Sequence, residues 1–193
     1  MTPQRAPTTS DSSGSRGSKA RAGESRFFQG PGLGIQVLGR ARGYGAPARA
    51  LEGLLGAYRS ALGLEGASLT LMLVDGTRCR GLNRRFRGLD RSTDVLSFPS
   101  TEGPRKPGFD GYLGDMALCP PYAWAHRGRF YPDFGAESAF LVLHGLLHLS
   151  GRHHDSPAQE RALWRLSLRL HRLSPPWHAA LRGLRPLKRD PKP

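Results

Sequence analysis

The sequence predicts a single α+β domain in which a small mixed β-sheet packs with helices, one of them buried. Segments in which apolar and polar residues alternate, as in strands, are interleaved with segments of helical periodicity. The sequence contains no internal repeat. The chain has 193 residues, which suffices for one domain with a substantial core. Composition divides it into a basic, disordered tail at 1–26, a folded domain at 27–177 and a basic, proline-containing tail at 178–193.

Strands and helices alternate in the first half of the domain. Residues 34–38 predict a first strand, and 47–62 predict a helix with leucines along one face. Alternation at 68–74 predicts a second strand. Asp75 is a suitable N-cap for a short helix that runs to about Asn83.

The second half of the domain contains two more strands and most of the helices. The predicted elements are a strand at 94–98, a loop at 100–111, a strand at 112–118 and helices near 121–127, from about 134 and at 156–173. Five prolines lie beyond Ser174, and the chain after this residue is predicted to be irregular.

The helix that starts near 134 is apolar on almost every side and is therefore expected to be buried. It ends in His144 and His148, which share one helix face because they are four residues apart. Gly151 suits the positive φ of a helix C-terminus, after which the chain can turn back and present a third histidine. Spacing favours His154 as that ligand over His153. Three imidazoles with one open position are typical of a catalytic zinc site, and one Zn²⁺ is expected.

The residue after the first histidine bears on the kind of chemistry. Zinc peptidases with this histidine spacing carry a glutamate there, which acts as the general base. Gly145 occupies that position here and cannot accept a proton. The sequence therefore favours a hydrolysis in which the metal itself activates water.

The net charge indicates the kind of binding partner, and the cysteine content indicates the cellular compartment. The formal net charge is +14, and residues 27–177 retain nineteen basic and twelve acidic side chains, a net +7. A basic folded domain favours a polyanionic partner such as nucleic acid. Cys79 and Cys119 are the two cysteines and form no closely spaced pair. With no transmembrane-length apolar run and no signal-peptide pattern, we expect a cytoplasmic protein without membrane contact.

Further motifs accompany the histidines in a fixed order. They are NRRFR at 83–87, TDVLSFP at 93–99, Gly114-Asp115, Glu137 and HGLLHLSGRHH at 144–154. Together they resemble the YbeY family, bacterial metal-dependent endoribonucleases of ribosomal RNA maturation. The resemblance covers about residues 34–173. One departure is Arg152-His153, where the family has Tyr-Asp before its last histidine.

The resemblance implies a zinc-dependent, single-strand-specific endoribonuclease that acts in 16S rRNA 3′-end maturation, rRNA processing and ribosome biogenesis. It implies that His144, His148 and His154 bind one Zn²⁺. Arg87 stands at the motif arginine and is the expected catalytic residue, because a guanidinium can grip a phosphate through two hydrogen bonds. The implied partners are ribosomal RNA precursors, together with the ribosomal subunit or assembly factors.

Two alternatives stay open: a metallopeptidase, and a non-catalytic ribosome-assembly factor with a structural zinc. Asp94 and Asp115 are candidates for orienting a ligand imidazole, although a structural role is preferred for both. Glu137 lies about 10.5 Å along the helix from His144 and is interpreted as structural or groove-lining. The three histidines that remain are predicted to be isolated surface residues: His126, His171 and His178.

Overall fold

The computed structural model describes residues 33–37, 45–153 and 155–186. In these ranges the chain forms four strands, six α-helices and a final 3₁₀ turn. The strands are β1 Leu33–Val37, β2 Ser68–Leu73, β3 Val95–Pro99 and β4 Tyr112–Leu118. The helices are α1 Gly45–Ala61, α2 Gly76–Arg87, α3 Pro120–Ala125, α4 Phe134–Leu149, α5 Pro157–His171 and α6 Pro175–Leu181, followed by the 3₁₀ turn Arg182–Leu184.

The single α+β domain and its mixed sheet are confirmed. The strand order is β1-β2-β4-β3. The pairs β1–β2 and β2–β4 are parallel, whereas β3 pairs with β4 in the antiparallel sense. Each of the four predicted strands lies within one residue of its observed bounds at either end. None of the helices within the described ranges combines the length and apolar character needed to cross a lipid bilayer.

The sheet buries a hydrophobic cluster on each face. Leu71, Met116 and Leu118 belong to the larger cluster, which includes the apolar residues of α1 and α4. Met72 and Ala117 alternate with them and belong to the smaller cluster beneath α2. This alternation is the period of two expected of strands, and it places α4 and α2 on opposite faces of the sheet.

Helix α2 begins where the sequence predicts and ends later. The side chain of Asp75 accepts a hydrogen bond from the backbone N–H of Arg78 at 2.8 Å, as an N-cap does. The helix continues past Asn83 to Arg87 and stops at Gly88, whose φ of 70° is left-handed. The extra turn brings Arg87 to the end of the helix.

The prediction of an irregular chain after Ser174 is wrong as far as Leu184. Pro175 and Pro176 occupy the first turn of α6, where proline is favoured because it has no N–H to leave unpaired. Leu181 and Leu184 are fully buried in the main core. The boundary drawn at 178 thus falls inside a packed helix, and the tails at 1–26 and 187–193 lie outside the described residues.

The prediction that His171 and His178 are isolated surface residues is also wrong, whereas His126 is exposed as predicted, although its ring stacks on Tyr122 with 4.0 Å between the centroids. Only 8% of His171 is exposed, and its ring centroid lies 4.2 Å from that of Tyr131 and 5.7 Å from that of His178. The buried Ser174 hydroxyl donates to the carbonyl of His171 at 2.7 Å and lies 2.6 Å from Nε2 of His178.

This cluster makes the domain sensitive to acid. Burial, together with the neighbouring His178, lowers the pKa of His171 to about 4, and burial also lowers the pKa of His178. Below the ordinary histidine pKa of about 6.5, these two histidines bind protons in the unfolded chain while burial keeps them neutral in the folded chain. The free energy of unfolding should therefore fall as the pH falls from 7 towards 4.

Urea unfolding of wild type and His171→Gln at pH 7 and pH 5 measures this effect. The variant should lose less stability between the two pH values than wild type does, because one buried group no longer titrates. His126→Gln removes an exposed histidine and is the control. Equal losses in wild type and His171→Gln would contradict the assignment.

Candidate active site

Two histidines interrupt the burial of α4. Every residue of this helix is buried except His144 and His148, which are partly exposed. Their ring centroids lie 4.5 Å apart with an interplanar angle of 85°, and their Nε2 atoms are 3.0 Å apart. The predicted buried helix is confirmed, and its two open positions present imidazoles to the same space.

The nitrogen separation fits two ligands of one metal ion. Nitrogens that are each about 2.0–2.1 Å from a tetrahedral zinc lie about 3.3 Å apart, close to the observed 3.0 Å. His153 is exposed, and its ring centroid is 5.7 Å from that of His148. His154, the expected third ligand, lies outside the described residues. Among the residues that are described, no three His, Cys, Asp or Glu side chains are grouped as a complete metal site.

A tightly folded C-terminus of α4 directs the chain towards these histidines. Gly151 has φ 77°, its N–H donates to the carbonyl of His148 at 2.9 Å, and the N–H of Arg152 donates to that of Leu147 at 3.0 Å. This pair of hydrogen bonds is a Schellman motif. A side chain at Gly151 would collide with the backbone of Gly103, in the loop before β4. The motif places His153 beside His148.

Gly145 lies on the side of α4 that contacts the sheet. Its carbonyl accepts a hydrogen bond from the hydroxyl of Ser97 at 3.1 Å. A Cβ atom built at Gly145 would lie 2.7 Å from the sulfur of Met116. A glutamate in this position would point into the core and away from His144. A side chain at Gly145 would require the buried side chain of Met116 to shift, so the close approach of helix and sheet disfavours a peptidase base at the position where that class of enzyme carries it.

A groove of about 580 Å³ opens beside His144. The side chains that line it come from the end of α2, the start of β3, the segment before α4, and helices α4 and α5. They include four arginines, Arg87, Arg129, Arg161 and Arg165, and two acids, Asp94 and Glu160. The structure therefore brings the predicted Arg87 and His144 to one basic groove, although they are 57 residues apart in the sequence.

The rim of the groove near Arg87 is held by residues whose roles the sequence reasoning missed. The buried amide of Asn83 donates to the carbonyl of Arg91 at 2.7 Å, and the buried thiol of Cys79 donates to that of Thr93 at 3.2 Å. The hydrogen bond to Cys79, followed by burial, raises the pKa of the Cys119 thiol. Both cysteines are free. These contacts fix the segment that leads from Arg87 into β3.

The three acidic candidates differ in position. The carboxylate of Asp94 lines the groove and accepts from the N–H of Val95 at 2.8 Å. Asp115 is fully buried and accepts from the hydroxyl of Tyr112 at 2.6 Å. Its neighbour in the sheet is Thr70, two residues before Met72, so it lies on the α2 face and cannot reach the histidines.

Glu137 has the structural role that its distance from His144 suggests. It is 3% exposed, and its Oε2 atom accepts from the N–H of Gly128 at 2.5 Å. This bond ties the segment before α4, which contains Arg129 and Phe130, to the helix that carries the histidines. One wall of the groove is thereby attached to α4.

Three groove arginines were not singled out from the sequence. Arg161 and Arg165 lie on α5, four residues apart, with Trp164 beside them. Arg161, Trp164 and Arg165 recur at helical spacing, so the sequence contains a signal for this basic and aromatic face. No sequence pattern around Arg129 indicates a role for it, because its position in the groove depends on the contact between its segment and α4.

The fold and the site define a class of single-domain α+β proteins: a mixed sheet is covered by a buried helix that carries two partly exposed histidines, and the first of them, His144, lines a basic groove. The family model for endoribonuclease YbeY matches residues 48–171. The chain belongs to this family. All the elements that form the groove, from α2 to α5, lie within the matched range.

Relatives and a solved structure agree with this assignment. An endoribonuclease YbeY from Anaeromyxobacter sp. is 40% identical over 135 residues, covering 70% of this chain and 69% of the relative. One from Moorella thermoacetica is 41% identical over 115 residues, covering 56% and 74%. The solution structure of a Thermotoga maritima protein aligns with a TM-score of 0.50 at 23% identity, covering 78% of this chain and 89% of that one, which supports the fold.

We expect Gly151→Ala to destabilise the fold. The left-handed φ alone costs a residue with a Cβ about 1–2 kcal/mol, and the collision with Gly103 adds to this. Gly81→Ala is the matched control: Gly81 is an exposed glycine inside α2 with open space around it, and alanine should stabilise that helix by about 0.5–1 kcal/mol. Urea unfolding of both variants measures the contrast, and a neutral Gly151→Ala would refute the proposed constraint.

Proposed function

We propose that this chain is a zinc-dependent endoribonuclease that hydrolyses single-stranded segments of ribosomal RNA precursors. The observation that carries the proposal is that Arg87 and His144 line one basic groove. Family membership supports RNA as the substrate, since the relatives are named endoribonucleases. The narrower proposal is that it acts in 16S rRNA 3′-end maturation during ribosome biogenesis in the cytoplasm.

The proposed metal ligands are His144, His148 and His154. The first two are positioned by the rigid helix α4, and Gly151 turns the chain towards them. His153 is the neighbouring alternative for the third position. A zinc ion bound there would supply an activated water and polarise a phosphate oxygen. Because the imidazoles must be neutral to bind a metal, acid should weaken binding.

Arg87 is proposed to bind the phosphate at the cleavage site. Its guanidinium is exposed at the end of α2 and offers paired N–H donors. Such a group stabilises the additional negative charge that develops on phosphate oxygens during hydrolysis. Arg129, Arg161 and Arg165 would raise the local concentration of a polyanion in the groove.

The two alternatives predict different features. A metallopeptidase needs a base next to the metal, and Gly145 faces the sheet instead. A non-catalytic assembly factor with structural zinc needs a closed ligand set, whereas catalytic sites keep one position open. His144 and His148 are both partly exposed, and His144 lines the groove, which favours an open site.

Metal analysis and RNA cleavage test the proposal together. Purified protein loaded with zinc should hold one ion per chain and cut a labelled single-stranded RNA, and a chelator should abolish cleavage. His148→Ala and His154→Ala should lose both zinc and cleavage, whereas His126→Ala, an exposed histidine away from the groove, should retain both. Cleavage that survives the chelator would reject the metal mechanism. Zinc loss in His153→Ala, but not in His154→Ala, would reassign the third ligand.

Arg87→Ala tests the catalytic assignment separately. We expect zinc content to stay at one ion per chain while the single-turnover cleavage rate falls about 10²–10³-fold, as when one charge-stabilising donor is removed. Arg84→Ala is the matched control, because Arg84 is exposed one turn earlier on α2 and does not line the groove. A rate like that of wild type in Arg87→Ala would remove Arg87 from the chemistry.

A further inference from the structure

Trp164 is a large apolar side chain left open at the groove. It lies on α5, lines the groove and keeps 47% of its surface exposed. The edge-to-face contact with Phe140 has a centroid distance of 5.6 Å, and Phe140 in turn lies 6.4 Å from the ring of His144. The indole is therefore no more than about 12 Å from the metal-binding imidazole. Packing on Phe140 fixes its position without covering it.

The charges around Trp164 are mostly positive and complement a nucleic acid strand, although Glu160 of the same helix also lines the groove. Arg161 and Arg165 lie three residues before it and one after it on the same helix, and both are exposed. Arg129 lines the groove as well and packs its guanidinium over Phe130, with 5.0 Å between Cζ and the ring centroid. A cationic groove interleaved with aromatic rings is the arrangement with which proteins bind single strands.

We infer that Trp164 is a stacking platform for an unpaired RNA base within about two nucleotides of a phosphate bound beside His144. In this arrangement Arg161 and Arg165 bind the flanking phosphates. The inference rests on the proposed function and adds the origin of strand selectivity. A base in a duplex is already stacked and paired, so its faces are not available to the indole. A single strand reaches Trp164 without that cost, whatever its sequence, because every base has a π-face.

The test is equilibrium binding of a fluorescein-labelled 12-nucleotide oligouridine to the full-length chain, followed by fluorescence anisotropy with a chelator present to prevent cleavage. Trp164→Ala should weaken binding about five- to 150-fold, the range that one stacked base contributes. Trp164→Phe should recover most of the affinity because it restores an aromatic face. Leu168→Ala is the matched control: Leu168 is 41% exposed one turn further on α5 and does not line the groove.

A second probe separates stacking from charge. An abasic oligonucleotide of the same length keeps the phosphates but has no base to stack, so wild type and Trp164→Ala should bind it equally. Arg161→Gln should weaken binding of both probes and reduce the slope of log affinity against log salt by about 0.7, the value for one phosphate contact on a single strand. Arg169→Gln, an exposed arginine of the same helix outside the groove, should change neither.

The outcomes distinguish failure of the stacking proposal from failure of the nuclease proposal on which it rests. If wild type cleaves RNA but Trp164→Ala binds oligouridine like Leu168→Ala, the stacking platform is wrong and the nuclease proposal stands. Equal losses on oligouridine and the abasic strand would also overturn stacking, since the indole would then act only through its neighbours. If wild type neither binds nor cleaves single-stranded RNA, both proposals fail. Thermal unfolding of each variant confirms that the fold is intact before the affinities are compared.

Discussion

Burial of α4 on almost every side is the constraint on which the rest of the structure depends. A helix that is apolar all round must be covered by the sheet and by other helices, and only His144 and His148 are left partly open. Gly145 allows the helix to lie against β3 and β4 with a hydrogen bond from Ser97. The two imidazoles are consequently held by the core itself, which is the kind of rigid support that a precise ligand set requires.

Local patterns predicted the local parts of the fold well. The four strands, the Asp75 cap and the positive φ of Gly151 depend on neighbours in the chain, and the structure confirms them. Contacts distant in sequence were beyond such reasoning. Nothing near His171 indicates that Tyr131, 40 residues earlier in the chain, packs against its ring. The prolines after Ser174 predict an irregular segment but in fact begin α6. Proline ends a helix from within but starts one well.

Part of the candidate site was predictable from the sequence, and part depends on contacts between distant elements. Arg87 and the histidines were found through motif residues, and the structure places Arg87 and His144 on one groove. The remaining wall comes from α5. Its basic and aromatic residues recur at helical spacing in the sequence, but the sequence does not show that this face meets the end of α2 across a groove. A family likeness identifies the centre of a site more readily than its walls, because walls depend on how separate elements meet.

The hydrogen bond between Glu137 and Gly128 attaches the segment before α4, which forms one wall of this groove, to α4 itself. Glu137 belongs to the most deeply buried helix, so the loop that bears Arg129 is fastened to the core rather than left to move with solvent. The amide proton of Gly128 should therefore exchange with deuterium more slowly than is typical of a surface connection. The groove is thus already shaped on that side, and binding of an RNA strand there would cost little conformational entropy of the loop.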